Sequence, residues 1–570
     1  MAHTASAALL EACVEAGIDY IFANLGSDHP PLIEALAAAR AQGRKAPRLI
    51  TCPNEMVALS AAHGHAQVSG RAQAVLVHVE CGTQALGGAI HNAAKGRAPA
   101  LILAGASPFT QEGELAGSRN EFIQWIQDVA DQRGLVRGYM RYDNEIRTGR
   151  NIKQMIHRAL QIAHSDPKGP VYLMAAREVL EEEVPPVAID PARWRPLAPA
   201  ALAPADAADI AARLARAKWP LIVTSYLGRN PEAVAPLVAL CRRLAIGVLC
   251  SVPSALNFPA DDPLYQGSQW NEKVQNPALA EADLVVVIES DVPWIPQINR
   301  PSPAAEILHI DVDPLKEQMP LWYIGATRAF RADAATALGQ ILAALETIPP
   351  EPSAIAERAR HHAARHAARR AAIAARAEES GELTGDVLTA RLRRHLDERT
   401  IVLSEGISHY QTILDQLCLS RPGSLLASGG GSLGWNGGAA IGVKLARPDH
   451  TVVALTGDGS YMFSVPASVH WMARRYQAPF LQVIYNNGGW KSPKLSMLAL
   501  HPEGFASRAE DIGVSFAPAP DYAAIAEAAG GAFARRVADL ADLDDAIEAA
   551  FRAVREEGRA AVLDVAVTPL

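Results

Sequence analysis

Short apolar strands alternate with alanine-rich amphipathic segments in three separate blocks, and this pattern constrains the chain more than any other feature. The first block runs from about Thr4 to Val184, with strands read at Tyr20–Ala23, Leu49–Cys52, Ala74–Val79, Ala100–Ala104 and Val171–Met174. The second, from about Ala205 to Leu345, carries Leu221–Thr224, Gly247–Cys250, Leu284–Ile288 and Ile307–Ile310. The third, from about Thr384 to Leu570, carries Ile401–Leu403, Thr451–Thr456, Phe480–Tyr485 and Ala561–Val567. Strands that are apolar throughout belong in parallel sheets covered on both faces by helices. The expectation is an α/β chain of three doubly wound parallel-sheet domains, at 1–184, 205–345 and 384–570. A length of 570 residues is too great for a single core.

The stretch 185–204 holds Pro185, Pro186, Pro191, Pro196, Pro199 and Pro204, and reads as a linker. The connector at 346–383 is rich in basic residues, among them Arg358, His362, Arg365, His366, Arg369 and Arg370. It reads either as a solvated linker helix or as a basic helix that touches nucleic acid. The chain has 53 Lys and Arg against 61 Asp and Glu, a formal charge of −8, which argues against a nucleic-acid binder. Its six cysteines are scattered, without a CxxC pair, so neither a disulfide framework nor a zinc knuckle is expected. The first residues lack a basic region followed by an apolar run, and no apolar stretch approaches twenty residues, so a cytoplasmic protein without a membrane span is expected.

The sharpest local signal lies in the third block. Strand Thr451–Thr456 runs into Gly457-Asp458-Gly459-Ser460, and strand Phe480–Tyr485 runs into Asn486-Asn487-Gly488-Gly489. If the two strands are parallel neighbours, Asp458 and Asn487 lie side by side. A carboxylate, an amide oxygen and a backbone carbonyl suit Mg²⁺ and leave positions for phosphate oxygens and water. Glycine amides nearby would take further phosphate charge.

GDG followed at this spacing by NN resembles the cofactor motif of thiamin-diphosphate-dependent enzymes. The resemblance extends over nearly the whole chain, to the acetolactate synthase, benzoylformate decarboxylase and 2-hydroxyacyl-CoA lyase type. It implies pyrimidine-binding, central and diphosphate-binding domains, with thiamin diphosphate and Mg²⁺ as cofactors. The implied metal ligands are Asp458, Asn487 and the carbonyl of Gly489, with Gly457, Gly459 and Ser460 at the diphosphate. Two ordinary turns are the other reading of this segment.

The resemblance also implies a glutamate that activates the aminopyrimidine ring from another domain. Glu55, in Pro53-Asn54-Glu55-Met56 before a small-residue helix, fits that role. Its alternative is a first-turn acid favoured by the helix dipole. His78, before the Cys81-Gly82-Thr83-Gln84 turn, falls on the active-site histidine of benzoylformate decarboxylase, where it would pass protons. Its alternative is a residue that merely ends a strand. Ala427–Trp435 resembles the segment that holds the aminopyrimidine, with Gly431 in it and Leu433 as the wedge that bends the cofactor. Gly437-Gly438 stand where the family often has Leu-Pro, a change expected to soften the entry to that helix. Gly406 and Ser408 fall in the usual diphosphate-side loop.

The substrate is less legible. Gln84, Trp294 and Trp490 are candidates for the substrate mouth, with packing an equal reading for both tryptophans. Trp490–Met497 lacks both the glutamate of pyruvate-type decarboxylases and the Gly-Met-Val of acetolactate synthases. His309–Asp313 resembles a strand end that binds FAD or an adenine nucleotide in some relatives, yet it also occurs in relatives that bind neither. The implied activity is C–C bond cleavage, carboligation or decarboxylation on a 2-keto acid, acyloin or 2-hydroxyacyl-CoA, through an enamine at C2 of the cofactor. The alternatives are an acetolactate synthase-like carboligase using pyruvate, a non-catalytic homologue that keeps the cofactor, and a Mg²⁺ site for another phosphate compound such as a nucleotide sugar. A homodimer or homotetramer is implied, with the active site between subunits and a small carbonyl compound as the other partner.

Overall fold

The computed structural model describes residues 3–378 and 381–568. Each block forms its own six-stranded parallel sheet. The first contains β1 (Tyr20–Ala23), β2 (Arg48–Thr51), β3 (Ala74–Val77), β4 (Ala100–Ala106), β5 (Tyr142–Glu145) and β6 (Pro170–Ala176), in the order β2-β1-β3-β4-β6-β5. The second contains β7 (Pro220–Thr224), β8 (Gly247–Ser251), β9 (Tyr265–Gln269), β10 (Leu284–Ile288), β11 (Glu306–Asp311) and β12 (Arg328–Arg331), in the order β12-β11-β10-β7-β8-β9. The third contains β13 (Thr400–Glu405), β14 (Leu425–Leu426), β15 (Thr451–Gly457), β16 (Leu481–Asn486), β17 (Phe533–Val537) and β18 (Ala561–Ala566), in the order β14-β13-β15-β16-β18-β17. The inner strands are buried along nearly their whole length, as Leu284–Ile288 illustrates, which is why they read as unbroken apolar runs. Among the described residues no helix is long and apolar enough to cross a membrane.

The first and third domains share one core. Helix Glu55–Ser69 lies against helix Trp435–Ala446, and Val57, Ala58, Ala61 and Ala62 pack with Trp435, Ala439, Ala440 and Val443. Small residues set this distance. A Cβ on Gly442 would stand 1.9 Å from the Ala61 carbonyl oxygen, and one on Gly64 would stand 2.3 Å from that of Ala439. A Cβ on Gly438 would meet the Val57 carbonyl oxygen and the Ser60 side chain at 2.8 Å. Gly438 therefore lets two domains touch backbone to backbone, whereas Gly437 faces Val469 of its own domain.

The basic connector, helix Pro352–Glu378, is docked along one face and exposed along much of the rest. Arg358 donates to the Ala217 carbonyl at 2.7 Å, His366 bonds the Tyr265 carbonyl at 3.0 Å, and Arg376 pairs with Asp415 at 2.9 Å. Arg369 also pairs with Asp415, and Arg365 with Glu281 at 2.5 Å. Its cations are used to tie the central sheet to the third domain.

Candidate active site

Ligand sites in open α/β sheets form at the carboxyl ends of the strands, where the strand order reverses. In the first sheet that point lies between β1 and β3, and the loops leaving β1, β2 and β3 supply Asn24, Glu55 and His78. The side chain of Asn54 accepts from the Val57 amide at 3.2 Å and starts the Glu55 helix, so Glu55 is fixed in its first turn. Glu55 is only 7% exposed. Its Oε1 accepts from Asn24 Nδ2 at 2.8 Å, and Oε2 has no protein partner among the described residues. A Cβ on Gly82 would come within 3.1 Å of Oε1, so that glycine clears space against the carboxylate.

His78 is held from both sides. Nδ1 lies 2.5 Å from Asp28 Oδ1, and Nε2 lies 2.8 Å from Gln127 Oε1. Both ring nitrogens face oxygen acceptors, which favours the doubly protonated ring. The other oxygen of Asp28 accepts from the Val79 amide at 3.1 Å. Val79 has φ +31°, a strained conformation for a β-branched residue, and strain of this kind gathers at functional sites. Two glycines make room for the pair. A Cβ on Gly26 would fall 2.1 Å from His78, and one on Gly105 would fall 1.5 Å from Asp28. His29, fully buried, completes the group with Nε2 at 3.3 Å from Asp28.

The electrostatics follow from these contacts. The Asp28 hydrogen bond lifts the His78 pKa above its ordinary value, against the pull of burial. Burial would raise Asp28, but the hydrogen bond from His78 and the charges of His29 and His78 hold it below its ordinary value. His78 therefore adds stability that is complete below its ordinary 6.5 and lost as pH rises through the higher folded value. Asp28 adds stability present above its ordinary 3.8 and lost as pH falls through the lower one. Asp28→Asn is expected to move the His78 titration to lower pH, measured by NMR of its ring protons; an unmoved titration removes Asp28 from this role. Asp28, His29 and Gln127 were missed in the sequence reading. The signal for the first two was Gly26-Ser27-Asp28-His29 at the end of β1, a glycine and acid pattern like that at Asp458.

The third sheet places Asp458 and Asn487 as neighbours. β15 and β16 are adjacent and parallel, with Gly457 opposite Tyr485. Asp458 accepts from the Gly459 amide at 2.8 Å and the Gly488 amide at 2.9 Å. Asn486 is committed to Asp564 at 2.8 Å, so Asn487 is the member of the pair left for the site. Gly488 and Gly489, at φ +82° and +152°, turn the chain there in conformations that favour glycine. Ser460 is buried one residue beyond Gly459.

The donor set fits a cation with phosphate. Asp458 is buried and forms no ion pair among the described residues, and burial pushes its carboxyl pKa up despite the amides around it. A bound cation would reverse that penalty. A Cβ on Gly457 or Gly488 would meet nothing within 4 Å, so space lies beside the acid. No cluster of three His, Cys, Asp or Glu occurs among the described residues, so an ion here would draw on amide and carbonyl oxygens and on its ligand.

Leu433 lines a cavity of about 410 Å³ together with Gly431, Ile407, Tyr410 and Trp270. Two contacts fix this loop. Asn92 of the first domain bonds both the carbonyl and the amide of Ser432, at 2.8 and 3.1 Å. Glu405, just before Gly406, accepts from the amides of Gly434, Trp435 and Asn436 at 2.6, 3.3 and 2.8 Å. Burial pushes Glu405 up to about 7 against those amides. Ser408 is exposed in the turn that follows. The remaining candidates divide. Trp490 stacks its ring against Gly459, where a Cβ would fall 2.2 Å away, and meets Phe463 and Phe516 edge-on. Gln84 is exposed and bonded to Glu80. Trp294 does not line a mouth, because it is buried in the central core against residues such as Leu221 and Val285.

The comparisons with known proteins agree with this layout. The chain matches the thiamine pyrophosphate enzyme N-terminal TPP binding domain over residues 3–135, the central domain over 207–341 and the C-terminal TPP binding domain over 406–565. It is 26% identical over 494 residues to a benzoylformate decarboxylase of Pseudomonas aeruginosa, covering 85% of this chain and 86% of that one. It is 26% identical over 425 residues to the acetolactate synthase isozyme 1 large subunit of Escherichia coli, covering 73% and 71%. Among solved structures, the thiamine diphosphate-dependent 4-hydroxybenzoylformate decarboxylase of Rhodococcus jostii RHA1 superposes with TM-score 0.78 at 22% identity, covering 100% and 99%.

Proposed function

The chain belongs to the thiamine pyrophosphate enzymes, and from that premise we propose that it is a Mg²⁺-dependent decarboxylase of a 2-keto acid with an apolar side chain. The observation that carries this reading is His78, clamped between Asp28 and Gln127 at the carboxyl end of β3, on the same edge of the first sheet as Glu55 after β2. The benzoylformate decarboxylase relative supports it, and the aromatic group of Phe463, Trp490 and Phe516 at the diphosphate end supplies an apolar wall.

When bound, thiamin diphosphate supplies a nucleophilic carbon and an electron sink. The protein's part is orientation and proton traffic. Asp458, Asn487 and the Gly489 carbonyl would hold Mg²⁺, with Gly457, Gly459 and Ser460 at the diphosphate. Leu433 would bend the cofactor, and Glu55 would take a hydrogen bond from its aminopyrimidine ring through the open Oε2. His78, charged by its two acceptors, would deliver a proton to the product after carbon dioxide leaves.

Glu55 and Asp458 stand on different sheets, and a second copy of the chain is the natural partner for completing the site. Supporting this, Phe122 and Ile126, on the segment that carries Gln127, are 79% and 73% exposed, and Phe505, beyond Asn487, is 99% exposed. Apolar side chains displayed this openly beside a site call for a cover.

Removing and restoring the cofactors tests the proposal. Protein stripped of thiamin diphosphate and Mg²⁺ is expected to be inactive and less heat-stable, with both properties restored on adding the two back. A product screen on pyruvate, benzoylformate and acyloins should return carbon dioxide and an aldehyde from benzoylformate in preference to pyruvate. Activity indifferent to the cofactors would sink the reading.

A further inference from the structure

The three domains meet around a second cavity, of about 230 Å³, at the C-terminal end of helix Glu55–Ser69. Its wall carries Arg97 and Lys168 from the first domain, Arg229 from the second, and Arg421, Arg447 and His450 from the third. Among the described residues no carboxylate lines it. In a chain with a net charge of −8, such a concentration of cations is not the background composition.

Two of these cations are neutralised from behind. Arg97 pairs with Asp291 at 2.9 Å, and Arg229 pairs with Asp166 and Glu289, each at 3.2 Å. His450 is turned to Asp449 at 3.0 Å. Lys168, Arg421 and Arg447 form no ion pair among the described residues. Arg421 donates to the Thr400 carbonyl at 2.7 Å, and Arg447 to the Val68 carbonyl at 2.5 Å. Carbonyls fix these side chains in place without cancelling their charge. The result is a pre-positioned set of donors, with two guanidinium forks of the shape that oxyanions bind.

This cavity adjoins the one lined by Leu433, sharing Arg97, Arg229 and Ala427 with it, but its unpaired cations stand away from the metal end of the cofactor site. Arg421 precedes β14 and Arg447 precedes β15, so both stand at the amino ends of the third sheet's strands, whereas Asp458 follows the carboxyl end of β15. Lys168 likewise precedes β6, and Arg97 precedes β4.

We propose that this junction binds a compact polyanion, a phosphate ester or a di- or tricarboxylate, which ties the three domains together. The charge excess selects the ligand class, and the enclosed volume limits its size. Because the ligand contacts the folded arrangement of three domains, it stabilises the assembled chain over the unfolded one.

The test uses the holoenzyme saturated with thiamin diphosphate and Mg²⁺, so that the diphosphate site is occupied. Equilibrium dialysis is run with inorganic phosphate and separately with citrate, against sodium chloride of equal ionic strength. Saturable binding of at least one probe is expected, weakened about 10-fold or more in the Arg421→Gln, Arg447→Gln double variant. Turnover of that variant without added anion should match the parent, which also reports its folding. Lys168→Gln serves the same purpose if the double variant does not fold. Binding of phosphate alone assigns a phosphate ester, and binding of citrate alone assigns a carboxylate. Binding no better than chloride, or binding unchanged in the variants, overturns the proposal.

Discussion

Glu55→Gln is expected to lower kcat/KM for the 2-keto acid by about 10²–10⁴-fold, the range for losing a positioned acid–base group. The replacement keeps the shape and most of the packing. Asn24 would still find an oxygen at Oε1, Asn54 would still start the helix, and Gly82 would still clear the side chain. What is lost is the negative charge and the strong acceptor at Oε2, which has no protein partner among the described residues. The fold and the affinity for thiamin diphosphate should therefore survive while activation fails. The measurement is exchange of the C2 proton of bound thiamin diphosphate for deuterium, together with cofactor affinity by fluorescence titration. Normal exchange in the variant removes Glu55 from its role. Loss of cofactor binding in step with activity would instead make Glu55 a structural anchor.

The strands illustrate how far a sequence can be read. Most inner strands were legible because both faces are buried, and such strands show as apolar runs such as Leu284–Ile288. The strands that escaped, β5, β9, β12, β14 and β17, all lie at sheet edges. Tyr142-Asp-Asn-Glu and Tyr265-Gln-Gly-Ser-Gln carry polar residues that an edge tolerates, so neither run stands out from a loop. The site divides along a similar line. Glu55, Asp458 and Asn487 stand next to their own strands, where a local motif marks them. Asp28 and Gln127 act through His78 across 50 and 49 residues, a relation no local pattern encodes. Trp294 stayed open between mouth and packing for the converse reason: a tryptophan between prolines after a strand resembles a pocket lip, and only its neighbours in space, which are core residues, decide for packing.

Asp458→Asn tests the opposite end of the cofactor and separates binding from folding. Asp458 is a buried carboxylate with amides around it and no cation among the described residues. Its folded pKa is raised, chiefly by burial, so at neutral pH the charge costs the unliganded protein stability, and the cost grows as pH rises through the folded value. An amide removes the charge while still offering an acceptor to the Gly459 or Gly488 amide. The unliganded variant is therefore expected to melt no lower than the unliganded parent at pH 7. With Mg²⁺ and thiamin diphosphate the order should invert. Removing one partner of a buried charge pair costs about 3–5 kcal/mol, which corresponds to roughly 10²–10⁴-fold in affinity. The parent should then gain melting temperature on adding the cofactors, and the variant should gain little. Mixing the inactive Glu55→Gln and Asp458→Asn chains under conditions of subunit exchange adds a geometric check. If each site draws Glu55 from one copy and Asp458 from another, a mixed pair contains one site with both native residues and regains activity. A mixture that stays inactive despite exchange would place both residues of a site on the same chain. A variant stabilised by the cofactors as strongly as the parent would remove Asp458 from the metal site.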